Sequence, residues 1–316
     1  MAVEQGWPRR FDFVPLSAKE ASALIGEAVL GIEPLSGGLR NTNYRLVRAA
    51  QPEPVVLRIY TADPSACRRE QRLLELVRLQ VPVPRVLRAE PFARPPWSLM
   101  TFIEGERFDS ILKAASNIEV DHLSYSAGQV LAHIHAFTFP RGGFFGPELQ
   151  IAESLGDEYG WHQMLEGWLT GGRVNVRLGE DLARRLLRFV SDNAWREDQM
   201  RFAGPCLSHS DYKPWNLLVR GGGIAAVLDW EFAFANAPLN DVGNFLRYSA
   251  RHPAEYESGF VRGYLAAGGV LPEDWQRLSR MVDLINLCSF LDHPEDDPAV
   301  SSDVRPLIQA TLDAYA

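Results

Sequence analysis

The chain has 316 residues, 46% of them hydrophobic and 23% charged, enough for one large domain or two lobes with cores of their own. Its formal net charge of −8 argues against the basic footprint of a general nucleic-acid binder. No uninterrupted apolar run approaches the roughly 18 residues that would suggest a membrane span, and the start Met-Ala-Val-Glu-Gln-Gly-Trp lacks the basic and apolar segments of a secretory leader.

Residues 32–35 and 44–47 are short β-like runs separated by Ser36-Gly37-Gly38-Leu39-Arg40-Asn41-Thr42-Asn43. A β-branched apolar strand follows over 55–60. Asp63-Pro64 reads as a helix start, with aspartate as N-cap and proline at the first helical position. Leu73, Leu74 and Val77 give that helix an apolar face, with Glu70 on or near it. Val81-Pro82-Val83-Pro84 breaks it, and residues 86–89 and 97–103 read as two more strands. The first hundred residues are therefore expected to be strands with one helix. Glu104-Gly105 ends this part. From about residue 110 the pattern turns helical, with Val120, Leu123, Ala127, Val130, Leu131, Ile134 and Phe137 at helical spacing. Helical patterns recur at 161–169, 180–191, 241–250, 253–267, 272–290 and 304–315. The expected class is α+β in two lobes, with a small antiparallel sheet in residues 1–103 and a larger, mainly helical part in 104–316.

The chemistry concentrates in Leu207-Ser208-His209-Ser210-Asp211-Tyr212-Lys213-Pro214-Trp215-Asn216-Leu217-Leu218, followed by Val227-Leu228-Asp229-Trp230. An aspartate can accept a proton from a hydroxyl, and a lysine can neutralise a phosphoryl group. Asparagine and a second aspartate offer oxygen ligands to a hard cation such as Mg²⁺. Asp211, Lys213 and Asn216 follow the D-x-K-x-x-N spacing of a kinase catalytic loop. Here the chain resembles the aminoglycoside phosphotransferase and choline kinase superfamily of small-molecule kinases, which carry H-x-D-x-x-x-x-N and then a hydrophobic-D-W segment.

The resemblance implies a protein-kinase-like fold and transfer of the γ-phosphate of ATP to a small-molecule hydroxyl. Asp211 is then the catalytic base, with Lys213 assisting. Asn216 and Asp229 are the Mg²⁺ ligands, and His209 is scaffold. Arg58 stands where many kinases place the phosphate-binding lysine, with Glu70 or Glu75 as its partner. Gly37, Gly38 and Asn41 belong to the loop over the nucleotide phosphates, although the stretch also reads as a plain hairpin turn. Met100, Thr101 and Ile103 lie at the hinge that meets adenine. Asp241 caps a helix and braces the catalytic loop, and Glu231 faces substrate or solvent.

Candidates for acceptor contacts are Trp161, Trp168, Asp157, Glu158, Asp283 and the acidic run 292–297. Cys67, Cys206 and Cys288 form no spaced cluster and suit buried thiols in a reducing, cytoplasmic setting. His133 and His135 lack the companions of a zinc site. No Walker A or G-x-G-x-x-G motif occurs, and D-F-G and A-P-E are missing, which disfavours a protein kinase. The rival reading is a nucleotide-binding pseudokinase or regulatory scaffold, supported by Arg58 in place of lysine.

Overall fold

Alternating burial along Thr42–Arg48 marks a strand with one face packed and one half-covered, and four similar strands join it. The structure, a computed structural model, describes residues 7, 9, 11–35, 40–155 and 160–315. Strands β1 (Val29–Pro34), β2 (Thr42–Arg48), β3 (Val55–Ile59), β4 (Val86–Glu90) and β5 (Trp97–Thr101) form one antiparallel sheet in the order β1-β2-β3-β5-β4. Ala21 and Ile25 of helix α1 (Ala18–Ile25) cluster with Tyr44, Leu46, Leu57 and Leu99. Helix α2 (Ala66–Val77) turns Leu73, Leu74 and Val77 toward Met100, with Val56 packed alongside. Successive residues of a strand face opposite sides, so Leu57 packs with α1 while Arg58 faces Glu70 of α2.

Two expectations for this lobe change. It holds two helices among the described residues, because Ser17 and Glu20 form a capping box that starts α1. Helix α2 begins at Ala66 and not at Pro64. The Asp63 carboxylate accepts from the Ser65 N–H at 2.9 Å and from its hydroxyl at 2.6 Å, so it closes a turn before the helix.

Past the hinge, the chain enters β6 (Glu106–Arg107), α3 (Phe108–Ile111) and α4 (Asn117–His135), then β7 (Gly143–Phe145) and β8 (Ile151–Ser154). Helices α5 (Trp161–Leu169), α6 (Arg173–Leu178), α7 (Glu180–Asn193) and α8 (Glu197–Met200) follow. Short strands β9 (Cys206–Ser208), β10 (Leu217–Arg220), β11 (Gly223–Val227) and β12 (Phe234–Asn236) carry the motif region. Helices α9 (Leu239–Leu246), α10 (Ala254–Ala266), α11 (Trp275–Leu291) and α12 (Pro298–Tyr315) complete the lobe. The larger lobe is thus not purely helical. Strands β11-β10-β6 make one small sheet and β8-β7-β12-β9 another. Gly105 is required where the chain crosses lobes, since a Cβ there would lie 2.9 Å from the Val219 carbonyl oxygen. No helix among the described residues is long and apolar enough to cross a membrane.

Helices α4 and α10 meet through glycines. A Cβ on Gly263 would lie 1.9 Å from the Tyr125 carbonyl oxygen, and one on Gly128 would lie 2.1 Å from that of Phe260. Gly263→Ala therefore tests packing against propensity. Helix propensity alone favours alanine by about 1 kcal/mol. The clash is expected to win and destabilise the fold by about 1–3 kcal/mol in urea unfolding. A stabilised variant would show that the helices can separate at little cost.

Candidate active site

The loop from His209 to Asn216 leaves β9 and ends in a 3-10 turn over Pro214–Asn216 that feeds β10. Ser210 adopts a left-handed backbone (φ 64°), rare for a residue with a side chain, so the loop needs an external brace. Asp241 of α9 supplies it. Its carboxylate accepts from the backbone N–H of His209 at 2.8 Å and of Ser210 at 2.7 Å, and lies 3.1 Å from His135 Nε2. Bracing by Asp241 is therefore as expected, but the helix-capping role is not. Asp241 lies inside α9, whose N-cap is Pro238, and both carboxylate oxygens are committed to the loop.

His209 is fully buried beneath the loop. Its Nδ1 accepts from the Asp211 N–H at 3.2 Å, so Nε2 carries the proton and donates to the Leu228 carbonyl at 3.0 Å. Both ring nitrogens serve the backbone. His135 is likewise satisfied, between Tyr264 and Asp241. No group of three or more His, Cys, Asp or Glu suited to a metal occurs among the described residues.

Asp211 Oδ1 pairs with Lys213 Nζ at 2.6 Å, and Asp211 Oδ2 accepts from Asn216 Nδ2 at 2.7 Å. The same amide nitrogen donates to the Asp211 carbonyl at 2.9 Å. Burial alone would raise the Asp211 carboxyl, but the charge and hydrogen bond of Lys213 hold it below its ordinary value. It is thus a carboxylate, able to take a proton. Lys213 is not a solvated surface residue, being 2% exposed, with Nζ 5.0 Å from the Trp215 ring centroid and 5.6 Å from that of Phe290.

Strands β10 and β11 form a hairpin that pairs Leu217 with Val227. The Leu228 N–H donates to the Asn216 carbonyl at 2.8 Å, which sets Asn216 opposite the residue before Asp229. Asp229 leaves the strand with a left-handed backbone (φ 66°). The Asn216 amide nitrogen is committed to Asp211, so Asn216 Oδ1 and the Asp229 carboxylate are the oxygens available to a cation at this end of the hairpin.

Arg58 crosses from β3 to this end. Its Nη2 lies 2.7 Å from Asp229 Oδ1 and 4.0 Å from Glu231 Oε2. Its Nε approaches Glu70 Oε2 at 3.1 Å, a charge contact not aligned as a hydrogen bond. Burial works against the Arg58 charge, but Glu70 and Asp229 outweigh it and keep the guanidinium protonated. Glu70, not Glu75, is the partner. Tyr60 and Ser98 complete the cluster, with Tyr60 Oη donating to Glu70 Oε2.

Glu231 does not face solvent, being buried. Its Oε2 accepts from Asn41 Nδ2 at 2.8 Å and lies 3.5 Å from Arg40 Nε. Asn41 Oδ1 accepts from the Thr61 N–H at 3.2 Å, so the Asn41 side chain ties β2 and β3 to the Asp229 turn. Burial, and then repulsion from Asp229, push the Glu231 carboxyl up to about 7 against the pull of Arg58 and Arg40. Glu70, Asp229 and Glu231 converge on the one buried arginine among them, an excess of acidic groups that Glu231 relieves by holding its proton.

That excess has a measurable consequence. The folded protein holds a proton on Glu231 up to about pH 7, while an unfolded glutamate releases it near 4.5. The folded state then binds more protons between those values, so this group's contribution to stability falls as pH rises through the window. Without divalent cations, the melting temperature of Glu231→Gln relative to the parent should climb from about pH 5 to about pH 7 and then level. A difference independent of pH would contradict the raised pKa.

The remaining sequence candidates separate. Gly37 and Gly38, with Asp157 and Glu158, lie outside the described residues. Met100 is buried against α2. The Thr101 N–H donates to the Arg85 carbonyl at 2.9 Å and its hydroxyl accepts from the Arg85 N–H, which ties this residue to the start of β4. Ile103 follows in the crossing between lobes. Trp161 is a core residue, its Nε1 donating to the Met281 carbonyl. Asp283 is buried in a bidentate pair with Arg247. Asp292 and Asp296 pair with Arg173 and Arg177. A cavity of about 660 Å³, lined in part by Phe11, Phe92 and Pro95, sits on the small lobe and includes none of the motif residues.

A model of the phosphotransferase enzyme family matches residues 31–280. No curated protein sequence matches the chain. Among solved structures, aminoglycoside phosphotransferase APH(4)-Ia aligns with a TM-score of 0.71 at 14% identity, covering 95% of this chain and 99% of that one. A thermostable mutant of that enzyme, in ternary complex with AMP-PNP and hygromycin B, aligns at 0.67 and 16%, covering 94% and 96%. Macrolide 2'-phosphotransferase MphH from Brachybacterium faecium aligns at 0.61 and 17%, covering 93% and 95%. At these identities the likeness is one of fold.

Proposed function

Since the chain belongs to the phosphotransferase enzyme family, we propose that it moves the γ-phosphoryl group of ATP to a hydroxyl of a small molecule, with Asp211 as the base. The observation that carries this reading is the Asp211 carboxylate, kept ionised by Lys213 and oriented by Asn216. Structural neighbours in complex with AMP-PNP and hygromycin B support the nucleotide and acceptor classes by analogy.

The donor set fits Mg²⁺. Asn216 Oδ1 and the Asp229 carboxylate are two hard oxygens from one hairpin, and this ion completes its shell with phosphate and water. When bound, it supplies charge neutralisation on the phosphates. Asp211 accepts the proton of the acceptor hydroxyl and aims it for in-line attack. Lys213 and Arg58 stabilise phosphate charge by electrostatic preorganisation. Glu70 holds Arg58, and Arg58 pairs with the same Asp229 carboxylate that would hold the cation. Residues 1–103 are the nucleotide lobe, with the phosphate loop at Gly37, Gly38 and Asn41 and the adenine edge at Met100, Thr101 and Ile103. Residues 104–316 are the catalytic and acceptor lobe.

ADP release with Mg-ATP, over a panel of aminoglycosides, choline, homoserine and sugars, tests the proposal. The pseudokinase reading draws on the Arg58–Asp229 pair, which occupies a proposed metal ligand. Magnesium-dependent thermal stabilisation by ATP with no turnover on any acceptor would favour it. The intact set of Asp211, Asn216 and Asp229 weighs against it.

A further inference from the structure

We propose that Glu148, in the turn between β7 and β8, is a positioning residue for the nucleotide. It grips α2 through Arg68 and Arg72 and thereby sets Glu70 against Arg58. The inference rests on the assignment of Arg58 to the nucleotide phosphates.

Helix α2 has two committed faces. Glu70, Leu73, Leu74 and Val77 follow i, i+3, i+4, i+7 spacing and are buried. Arg68, Arg72 and Glu75 lie on the other side, at i, i+4, i+7. Arg68 Nε donates to Glu148 Oε1 at 2.7 Å, and Arg72 Nε donates to Glu148 Oε2 at 2.9 Å. The two arginines, one turn apart, thus divide a single carboxylate between them. Arg69 donates from Nη2 to the Glu231 carbonyl at 3.3 Å and to Asp63 Oδ2 at 2.9 Å. Three arginines of one helix therefore fasten it to the larger lobe. On the buried face, the contact of Glu70 with Arg58 Nε at 3.1 Å is one of charge and not an aligned hydrogen bond, so its strength follows the distance that α2 sets.

The turn that carries Glu148 is built to hold it. The Gly146 N–H donates to the Gln150 carbonyl at 2.8 Å, and the Leu149 N–H donates to the Gly146 carbonyl at 3.1 Å. The Glu148 N–H donates to Gln150 Oε1 at 3.1 Å. Leu149 takes a left-handed backbone (φ 62°), unfavourable for a residue with a Cβ, and its side chain packs against the core cluster that contains Leu73 and Leu74 of α2. Exposed ion pairs are usually weak in part because both side chains lose freedom on pairing. Here the turn has removed much of that freedom from Glu148 beforehand. The turn is also tied to the catalytic loop. It joins β7 to β8 in the sheet β8-β7-β12-β9, and β9 runs directly into His209. Glu148 therefore places α2 relative to the same sheet that carries Asp211.

The sign of the effect makes the test sharp. By field alone, removing a carboxylate favours an anionic nucleotide, whereas loss of the grip weakens its binding. Titration calorimetry of the full-length protein with Mg²⁺ and AMP-PNP compares the parent with Glu148→Gln and Glu148→Lys. Glu148 is exposed, so both variants should fold and melt within about 2 °C of the parent. AMP-PNP affinity is expected to fall about threefold in Glu148→Gln and about fivefold or more in Glu148→Lys. Adding Arg68→Glu to Glu148→Lys restores an ion pair and should recover most of the loss. In a Glu70→Gln background, Glu148→Gln should cost nothing further, because it acts through Glu70. Unchanged or tighter binding in both Glu148 variants overturns the proposal. So does an equal loss with and without Glu70→Gln. If the parent binds no AMP-PNP, the proposed function fails, and hydrogen exchange at the α2 amides decides the grip by itself. Faster exchange in Glu148→Gln is expected, and unchanged exchange overturns it.

Discussion

Asp211→Asn is expected to lower kcat by about 10²- to 10⁴-fold while KM for ATP changes little. The side chains are nearly isosteric, so the loss is that of a proton acceptor and not of shape. One complication comes from Lys213, whose ammonium is buried against Asp211 and would be left without that anion. Breaking such a pair costs about 3–5 kcal/mol, so the variant should also melt at a lower temperature. Lys213→Met in the Asp211→Asn background separates the effects. The double variant should recover much of the stability and none of the activity. Rates measured by single turnover well below the melting transition decide the matter. Near-normal kcat in Asp211→Asn would remove Asp211 from the chemistry.

Asp241→Ala should produce the largest loss of stability among the motif-region substitutions, about 3–5 kcal/mol in urea unfolding. Asp241 is 0% exposed and accepts two backbone N–H groups from adjacent residues, one of them in a left-handed conformation. Truncation leaves both donors without this partner, along with His135 Nε2, while His135 Nδ1 keeps Tyr264. An unsatisfied buried donor costs about 1–3 kcal/mol, and alanine offers no route for water to replace three contacts. Asp241→Asn keeps one carbonyl acceptor and should lose less. If Asp241→Ala were as stable as the parent, the loop would be held by its other contacts alone, chiefly the two bonds of the His209 ring.

Both variants probe residues visible in the sequence, and the reason is physical. Asp211, Asn216 and Asp229 lie within 19 positions, and a hairpin between them needs only local pairing. The long strands and helices show as periodicity, so the five-stranded sheet and α4, α5, α7 and α9 to α12 are legible, while the short α6 and α8 are not. Strands β6 to β9 and β12 have only two to four residues each, too few for a period to register. Helix α1 carried a readable signal, the Ser17 to Glu20 spacing of a capping box, and was missed beside a strand-rich context.

Glu231 is visible as a candidate in the sequence, but its buried contacts are not. Its partners, Asn41 and Arg58, lie 190 and 173 positions away. Only its place two residues after Asp229 hinted that it shares that site. Two of the acceptor candidates chosen by residue type have structural partners. Trp161 and Asp283 answer to core packing and to Arg247, which no local pattern reveals.

The contacts from Arg58 to Asp229 and from Asn41 to Glu231 span 171 and 190 positions and join the two lobes through buried charge. They fasten the lobes to each other in addition to the covalent crossing between them. Swinging them apart would strand several ions away from their partners, a cost far above that of bending a linker. Each lobe therefore leans on the other for part of its integrity, and the molecule should denature as one cooperative block instead of shedding its small lobe first.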